Sequence, residues 1–519
     1  MNNRNADVIV IGAGHNGLVC AGYLAKAGLD VLVVERSHRI GGACVSEELT
    51  PGFIFSTFAY SAHGPGPKIC GDLEIPADAF TIVPTDPGMF LPFPDGDHCI
   101  LWADREKTAR DLERFGPREG PGYLDYCQFL ESATHVMQSI FLEPPPTHRA
   151  LYDRYAGTPF EGALEAMLTR SHWDVLCDYF ETEKVRCAMA RSDDVGYPTA
   201  VGSLLADVME SASGGAGVEN ISGLPDGGMG VITAALADAV CRYGAEIRTE
   251  SSVERVLIKN GQATGVRLSG GETLTARMVV SNADPKRTFL NLLDPDELDR
   301  GFRETVTRIK TRANYMKYHA VISAAPPFTA IPPELADDPR LLASMRISPS
   351  LSYMENAWLD AQKGLPSRQP VMSLQLPTAY LPHMAKPGKH IFGAWVRYGP
   401  PEPKMSNDAL RDESLKNIIA TLESYAPGFR DLIEWQRLYT NFDIENETGI
   451  TNGSIRHVDM TLDQMLYRRP LPSWSAYKSP IEGLWMCGSG THPCGSVTGA
   501  PGHNAAQAIL SERGREKSI

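Results

Sequence analysis

The sequence predicts an α/β fold with α+β inserts, and three observations support this prediction. A strand, a glycine-rich turn, a helix and a second strand follow one another within the first 35 residues, which is the order of a parallel βαβ unit. A helix followed by a three-stranded meander comes near the middle of the chain. A short strand and an alanine-rich helix come near its end, and two long stretches of mixed patterns separate the three segments.

The segments divide the chain into two predicted domains. A length of 519 residues allows two to four domains of ordinary size. We assign residues 1–70, 221–289 and 471–519 to a discontinuous, Rossmann-like domain. Residues 71–220 and 290–470 are assigned to a second domain, a mixed sheet with helices, which we expect to bind the substrate.

Composition excludes several classes of protein. Hydrophobic residues make up 43% of the chain, which is enough for a large core and excludes wholesale disorder. The 49 basic and 63 acidic residues give a net charge of −14, which disfavours nucleic acid as a partner. No apolar run reaches the roughly 18–20 residues that span a bilayer. The ten cysteines include no Cys-x-x-Cys pair, so neither a metal site nor a redox dithiol is predicted.

Periodicity and turn residues predict the individual elements. Helices are predicted over residues 18–27, 231–243 and 504–510, with Gly28 after the first of them. Strands are predicted over residues 8–11, 31–34, 89–91, 99–102, 253–258, 264–268, 273–281, 372–376, 390–396 and 484–487.

The first turn has the residues that a dinucleotide requires. Gly12 permits a tight turn, Gly14 lets the backbone approach a pyrophosphate, and Gly17 allows the helix to pack on the strand. The N-terminus of that helix favours phosphate oxygens. Glu35 comes 18 residues after Gly17, where it can accept hydrogen bonds from a ribose 2′-OH. An acidic residue there disfavours the 2′-phosphate of NADP.

A second glycine pair favours FAD over NAD. Gly41 and Gly42 follow Glu35 closely, and they would let the backbone pass beside a second extended part of the ligand. No second strand–glycine turn–helix unit is predicted, because the glycine-rich run at residues 214–217 does not follow a strand. The cofactor is therefore predicted to be FAD, without a separate NAD(P)H domain.

Further motifs occur in order along nearly the whole chain. They are GAGHNGLV at 12–19, RIGGA at 39–43, EE at 47–48, PDGGMG at 225–230, YAPGF at 425–429, the stretch 457–464, GSGTHP at 488–493, GAPG at 499–502 and NAA at 504–506. The set resembles that of the phytoene-desaturase-related FAD oxidoreductases, most closely the branch that contains pyridine nucleotide-disulfide oxidoreductase domain-containing protein 2. The resemblance implies an FAD-binding domain of the glutathione-reductase-2/amine-oxidase type.

The resemblance also implies roles for single residues. The adenine would meet the backbone of Val253, and the isoalloxazine would lie against Gly490 and residues 497–500. Two residues depart from the pattern: Ser489 stands where the wider superfamily often has Asp, and Cys494 stands where relatives commonly have glycine. The implied cofactor-binding residues are Gly12, Ala13, Gly14, Asn16, Gly17, Glu35, Arg36, Gly41, Gly42, Ala43, Val253, Gly488, Gly490, Val497 and Ala500.

The C-terminal segment predicts how the chain assists the flavin. Pro501 suits the first turn of a helix, and the positive end of that helix would favour negative charge on the flavin's pyrimidine ring. Cys494 is predicted to pack in the interior, with a catalytic or flavin-linked role as its alternative. Histidine titrates near neutral pH, and each candidate for proton handling has a purely structural role as its alternative. These candidates are His492, His503, His457, His63 and Tyr60.

The substrate is predicted only by class. The leading hypothesis is a dehydrogenase, desaturase or oxidase that moves a hydride from a CH–CH or CH–NH group of a largely apolar small molecule to flavin N5. Two alternatives stay open: a redox-neutral flavin-dependent isomerase, and a non-catalytic binding protein on the same fold, like the GDP dissociation inhibitors. Met209, Phe392, Trp395 and Tyr398 either line an apolar tunnel or belong to the core.

Partners and location complete the predictions. Oxygen or a quinone would accept the electrons, and both a homo-oligomer and peripheral membrane contact stay open. Scattered single cysteines suit a reducing compartment, and a strand-like run begins almost at once in place of a secretory signal. We therefore expect a cytoplasmic protein.

Overall fold

The computed structural model describes residues 5–60, 64–191, 195–212 and 223–516, so His63 and the run at 214–217 lie outside the described residues. The strands are β1 Asn5–Ile11, β2 Val31–Val34, β3 Ser46–Thr50, β4 Phe53–Ser56, β5 Ile82–Pro84, β6 Met89–Pro92, β7 His98–Leu101, β8 Gly223–Pro225, β9 Glu246–Arg248, β10 Val253–Lys259, β11 Gln262–Leu268, β12 Thr273–Ser281, β13 Met316–Ile322, β14 Met345–Ile347, β15 Val371–Gln375, β16 His390–Arg397, β17 Ile433–Tyr439 and β18 Leu484–Met486. The α-helices are α1 His15–Lys26, α2 Pro67–Asp72, α3 Arg105–Leu112, α4 Glu119–Phe141, α5 His148–Tyr155, α6 Glu161–Thr169, α7 His172–Tyr179, α8 Glu183–Met189, α9 Ser203–Ser211, α10 Gly230–Arg242, α11 Arg300–Thr307, α12 Leu351–Gln362, α13 Asn407–Tyr425, α14 Phe429–Leu432, α15 Asn441–Thr448 and α16 Ala500–Glu516.

The first sheet joins strands from three distant parts of the chain. Its order is β10-β11-β12-β1-β2-β9, and β18 pairs with β12. β1 runs parallel to β2 and β12, and β12 runs parallel to β18. The meander β10-β11-β12 is antiparallel. The predicted α/β fold class is confirmed, while the limits of the two domains stay a prediction.

The strand β1 separates two apolar cores because its successive side chains point to opposite faces of the sheet. Val8 and Val10 pack with apolar residues of α1, α10 and α16 on one face. Ile9 and Ile11 pack on the other face with apolar residues of the meander and of the segment that includes α11.

The helix α1 begins three residues before its predicted start. Gly14 is its N-cap residue, so His15 already belongs to the first turn. The helix ends at Lys26, and Gly28 follows with a φ of +84°, a position that favours glycine after a helix. The end of the glycine motif is therefore part of the helix.

The second sheet has the order β17-β13-β16-β15-β14-β6-β7. Its strands are antiparallel apart from the β14–β6 pair. The mixed pattern predicted for the first long stretch is helical from α3 to α9. Its apolar residues recur at helical spacing, as Ala133, Val136, Met137 and Ile140 of α4 do.

Membrane spans and metal clusters were sought in the described ranges. No helix there combines the length and apolar character needed to cross a membrane. The same residues place no three His, Cys, Asp or Glu side chains together as metal ligands.

Candidate functional site

The glycine turn lies where the carboxyl ends of β1 and β2 meet. A Cβ atom on Gly17 would lie 2.2 Å from the carbonyl oxygen of Gly12, so only glycine lets α1 approach the turn this closely. Glu35 directly follows β2. Its carboxylate accepts hydrogen bonds from the N–H groups of Ala13 (2.9 Å) and Ser37 (2.8 Å). The turn and the carboxylate therefore form one site.

The second glycine pair folds back onto this turn. The N–H of Gly41 donates to the carbonyl of Ala13 (2.9 Å), and Gly41 forms a parallel bridge with Gly14. A Cβ atom on Gly42 would lie 3.6 Å from the Cα of Gly14. Gly42 and Ala43 are half-buried. The two motifs that were predicted to serve one ligand are in direct contact.

Two other predicted cofactor residues lie further along the same end of the sheet. Arg36 donates a hydrogen bond to the carbonyl of Asn446, which ties the loop after β2 to α15. The N–H of Ser251 donates to the carbonyl of Glu35 (2.7 Å). Val253 opens β10 two residues later, so its backbone starts close to the ribose-binding carboxylate. The cofactor contacts of Arg36 and Val253 stay predictions.

Asn282 is a central residue of the site that the sequence analysis missed. A Cβ atom on Gly14 would lie 2.9 Å from its Nδ2, and one on Gly17 would lie 3.1 Å from the same atom. A Cβ atom on Gly488 would lie 2.6 Å from its carbonyl oxygen. Asn282 directly follows β12, the parallel neighbour of β1. A polar residue at the end of a predicted central strand was the signal that could have found it.

The C-terminal loop joins the site through α16. The Asn16 amide donates to the hydroxyl of Ser489 (3.1 Å). The helix α16 begins at Ala500, four residues before its predicted start. A Cβ atom on Gly502 would lie 2.1 Å from the carbonyl oxygen of Asn16. The N-termini of α1 and α16 therefore lie side by side, which concentrates two positive helix ends at the site.

The turn before α16 holds non-glycine residues in left-handed conformations. Ser496 has a φ of +72° and Val497 a φ of +58°, which is rare for a β-branched residue. Such strain persists where function requires a particular backbone. On the other side of the loop, a Cβ atom on Gly490 would lie 2.6 Å from the ring of Pro285. The contacts of Val497 and Gly490 with the flavin stay predictions.

The residues at these loops fit FAD. His15 Nε2 and Asn16 Oδ1 are buried and have no hydrogen-bond partner among the described residues. An unsatisfied buried polar atom costs free energy, and a cofactor with phosphate and hydroxyl groups would supply the partners. Gly12, Gly14 and Glu35 lie where a pyrophosphate and a ribose would be held.

His492 does not project from its loop as predicted. Its ring is completely buried, and Nε2 donates to the carbonyl of Ile140 (3.0 Å) near the end of α4. The last carbonyls of a helix have no partner within the helix, and the ring supplies one here. Desolvation by burial lowers the pKa of His492 to about 4. This contact is structural, and a catalytic role for His492 stays an untested prediction.

The structure does not bring the other proton-handling candidates together. His503 is buried between α1 and α16, where its ring meets the ring of Tyr23 edge-on at 5.0 Å. His457 lies beside the loop after β18. Tyr60 lines an apolar cavity beside the second sheet. Among the candidates that the structure describes, Tyr60 alone lines this cavity.

Most of the predicted tunnel residues belong to the core. Met209 and Phe392 are completely buried in the large apolar cluster, as is Cys494. Tyr398 is buried too, and its hydroxyl donates to the carbonyl of Gly196. Trp395 faces the side chain of Lys317, which lines the cavity described next.

An apolar cavity opens between the β3–β4 hairpin and the second sheet. Ile54 lies at the mouth of this cavity and is exposed to 37%. None of the described residues that line it is acidic. The lining residues are Ile54, Phe55, Ser56, Tyr60, Leu224, Pro225, Lys317, His319, Gln375, Pro377, Leu381, Met384, Ile391 and Gly393.

Lys317 is the second functional residue that the sequence analysis missed. Its side chain is 98% buried, and Nζ lies 4.2 Å from the ring centre of Tyr60 and 5.2 Å from that of Trp395. Aromatic faces favour a charged amine, but desolvation outweighs them and holds the pKa of Lys317 well below its ordinary value. The signal was a lysine within β13, a strand whose residues are all buried.

His319 lies on the same face of β13, two residues further on. Its Nε2 donates to the carbonyl of Thr57 (2.8 Å). Desolvation, followed by the neighbouring Lys317, lowers the pKa of His319 well below its ordinary value. The cavity therefore holds two nitrogen bases, and burial disfavours the protonated form of each.

Two glycine motifs in contact at the end of a parallel sheet, together with an apolar cavity beside a second sheet, indicate a flavin-dependent oxidoreductase. The chain belongs to the flavin containing amine oxidoreductase family, which matches residues 17–510. Its cofactor is FAD.

Individual relatives agree with this assignment and with the resemblance found from the motifs. Pyridine nucleotide-disulfide oxidoreductase domain-containing protein 2 of Mus musculus is 31% identical, over 98% of this chain and 93% of its own length. Phytoene desaturase (lycopene-forming) of Pantoea ananas is 24% identical, over 96% and 98%. The solved structure of cyclohexylamine oxidase from Brevibacterium oxydans IH-35A covers 99% of this chain and 100% of its own, at 15% identity and a TM-score of 0.57.

Proposed function

We propose that this FAD-dependent oxidoreductase removes a hydride from a CH–CH or CH–NH group of a largely apolar small molecule, as a dehydrogenase, desaturase or oxidase. The observation that carries the proposal is Lys317, buried in an apolar cavity between two aromatic rings, where desolvation lowers its pKa. FAD supplies the acceptor for the hydride. Among the similar proteins, phytoene desaturase (lycopene-forming) is named for a hydrocarbon and cyclohexylamine oxidase for an amine, and both classes of compound contain such groups.

The cavity favours an uncharged substrate. Apolar side chains such as Phe55, Leu381 and Met384 make up most of its lining, and no carboxylate of the described lining is available to pair with an ammonium ion. Burying a charge without a partner is costly. An amine would therefore enter deprotonated, and a hydrocarbon or ester chain would enter without penalty.

Lys317 is suited to take the proton that accompanies the hydride. Oxidation of a CH–CH or CH–NH group releases one hydride and one proton, and the proton needs an acceptor inside the cavity. A neutral amine with a lowered pKa is an effective base near neutral pH. Tyr60 and Trp395 hold Nζ between their rings, which fixes the position of the base.

The test measures flavin reduction without oxygen. Wild-type protein and Lys317→Met are compared by stopped-flow absorbance against carotenoid precursors, unsaturated lipids, amines and cyclic alcohols. We expect one class to reduce the wild-type flavin, and we expect the variant to react about 10²-fold more slowly with unchanged FAD content. Lys310→Met, which removes a surface lysine paired with Asp463, is the control.

Two outcomes would contradict the proposal. If no compound with an oxidisable CH–CH or CH–NH group reduces the flavin, the reaction class is wrong. If Lys317→Met reduces its flavin at the wild-type rate, Lys317 is not the base. Conversion of a compound to its isomer without net flavin reduction would favour the isomerase alternative.

A further inference from the structure

Two histidines that the proposed reaction does not use meet at the N-terminus of α1. His15 is the first residue of α1, directly after Gly14. His457 comes from the segment after α15, and its Nδ1 lies 3.2 Å from the place where a Cβ atom on Gly488 would be. The two rings are close enough for His457 to affect the pKa of His15. Residues 15, 457 and 488 thus converge from three distant parts of the chain.

Each of these rings has a nitrogen atom that lacks a partner. His15 Nε2 and His457 Nδ1 are buried, and no described residue forms a hydrogen bond with either. His457 is 92% buried and has a φ of +64°, which is uncommon outside glycine. Strained backbone and unsatisfied buried polar atoms occur where a bound ligand offsets their free-energy cost.

The charged groups around the pair do not supply that partner. Asp284 is the acidic group that acts on His457, and Arg469 is the basic one. The Asp284 carboxylate already accepts hydrogen bonds from the N–H and hydroxyl of Thr451 and from the N–H of Arg287. No hydrogen bond joins Asp284 to either ring nitrogen that lacks a partner among the described residues.

The pair is uncharged in the absence of a ligand. Desolvation, with a smaller contribution from His457, lowers the pKa of His15 to about 3. For His457 desolvation is again the largest cause and lowers the pKa to about 4, against the opposing effect of Asp284. A negative charge within hydrogen-bond distance favours the charged form of imidazole, and would reverse both shifts.

We propose that His15 and His457 bind the diphosphate of FAD, and that the pair takes up protons when the cofactor binds. The diphosphate is the anionic part of FAD, and the helix N-terminus beside both rings is where a phosphate is favoured. This inference rests on FAD being the cofactor in the proposed function. It adds two binding residues with a measurable proton linkage.

The test is calorimetric titration of the apoprotein with FAD near neutral pH in two buffers that differ in ionisation enthalpy. A difference between the two binding enthalpies gives the number of protons taken up per FAD. We expect net uptake, and tighter FAD binding as the pH is lowered by one unit. ADP, which carries the diphosphate without the flavin, is expected to show uptake as well.

Substitutions of single histidines show which residues take up the protons when FAD binds. His15→Asn and His457→Asn should each lose part of the uptake and weaken FAD binding about tenfold or more, as for a charge-assisted hydrogen bond. Asn tolerates the left-handed backbone at position 457. His148→Asn is the matched control, because His148 also has a buried nitrogen without a described partner but belongs to α5. It should keep the wild-type uptake.

Equal enthalpies in both buffers for wild type would overturn the inference while leaving FAD binding, and so the proposed function, intact. Uptake with FAD but none with ADP would place the protonated group at the flavin and would also overturn it. Failure of the apoprotein to bind FAD at all would instead count against the proposed function.

Discussion

Lys317 shows how one residue determines the chemistry of the cavity. Water would keep a lysine charged, but burial between Tyr60 and Trp395 removes that water and holds the pKa of Lys317 well below its ordinary value. The folded protein therefore binds fewer protons at this residue than the unfolded chain does. Stability is consequently linked to pH.

The sign of the linkage gives a first prediction. Between the lowered pKa of Lys317 and its ordinary value the unfolded chain binds more protons, so wild-type stability rises with pH in that window. Lys317→Met removes the burial cost and should stabilise the protein by about 1–3 kcal/mol near neutral pH. The gain should shrink as the pH approaches the ordinary lysine value.

Chemical denaturation at a series of pH values measures this effect. Lys416→Met, at a lysine whose side chain is 72% exposed, should show no such trend. A Lys317→Met variant whose stability relative to wild type does not change with pH would show that the lysine is charged in the folded protein.

Glu35 allows a second prediction at the residue scale. Its carboxylate accepts two backbone hydrogen bonds, and a carboxylate has further lone pairs with which it could accept a hydrogen bond from a ribose hydroxyl. Glu35→Ala should weaken FAD binding by about 1.5–3 kcal/mol, the range for a charge-assisted hydrogen bond. Glu35→Gln, which keeps the shape without the charge, should have an FAD affinity between those of the wild type and Glu35→Ala. Quenching of FAD fluorescence measures the affinity, and an unchanged value for Glu35→Ala would refute the role of this residue.

At the scale of elements, the pairing of α1 with α16 holds the site together. The close approach of Gly502 to the carbonyl of Asn16 leaves no room for a side chain. Gly502→Ala should therefore cost about 1–3 kcal/mol of stability and should lower FAD occupancy, because the two helix ends would separate. Gly514→Ala makes the same change in the same helix, where a Cβ atom would meet nothing within 4 Å.

Thermal unfolding and the ratio of flavin to protein absorbance separate the two variants. Gly514→Ala should be neutral or slightly stabilising because alanine favours helix. Equal behaviour of the two alanine variants would mean that the contact between the helix ends is unimportant for the site.

Several elements of the first predicted domain could be predicted because each depends on local sequence, although the β3–β4 hairpin, α2 and β9 were not. The turn at Gly12, the strand of residues 31–34 and the meander strands all appear where periodicity placed them. Asn282 and Lys317 could not be predicted in the same way. Their importance comes from contacts between distant segments, and a single polar residue beside or within a buried strand has no periodic pattern of its own.

His492 illustrates a different error, in which the sequence predicts a side-chain direction that the structure contradicts. Its loop position suggested a projecting ring, but the free carbonyl of Ile140, which is 352 positions away in sequence, holds the ring inside the protein. The sequence contains no local sign of such a partner. Tertiary hydrogen bonds of this kind limit what a motif can say about a side chain's direction.

At the scale of the whole molecule, the cofactor loops and the cavity belong to different sheets. The first sheet collects the carboxyl ends of β1, β2, β12 and β18 around the cofactor loops, and the second sheet carries the cavity with Lys317 on β13. The proposed reaction needs both sheets. The FAD that accepts the hydride is held by the loops of the first sheet, and the proposed base, Lys317, belongs to the second.

A single anaerobic turnover tests this account most directly. FAD-loaded protein is mixed with one equivalent of a compound that reduces its flavin, and both the loss of flavin absorbance and the product are quantified. The account predicts one reduced flavin per molecule of product, with the product two hydrogen atoms poorer than the substrate. Product formed without stoichiometric flavin reduction, or reduced flavin without a dehydrogenated product, would contradict it.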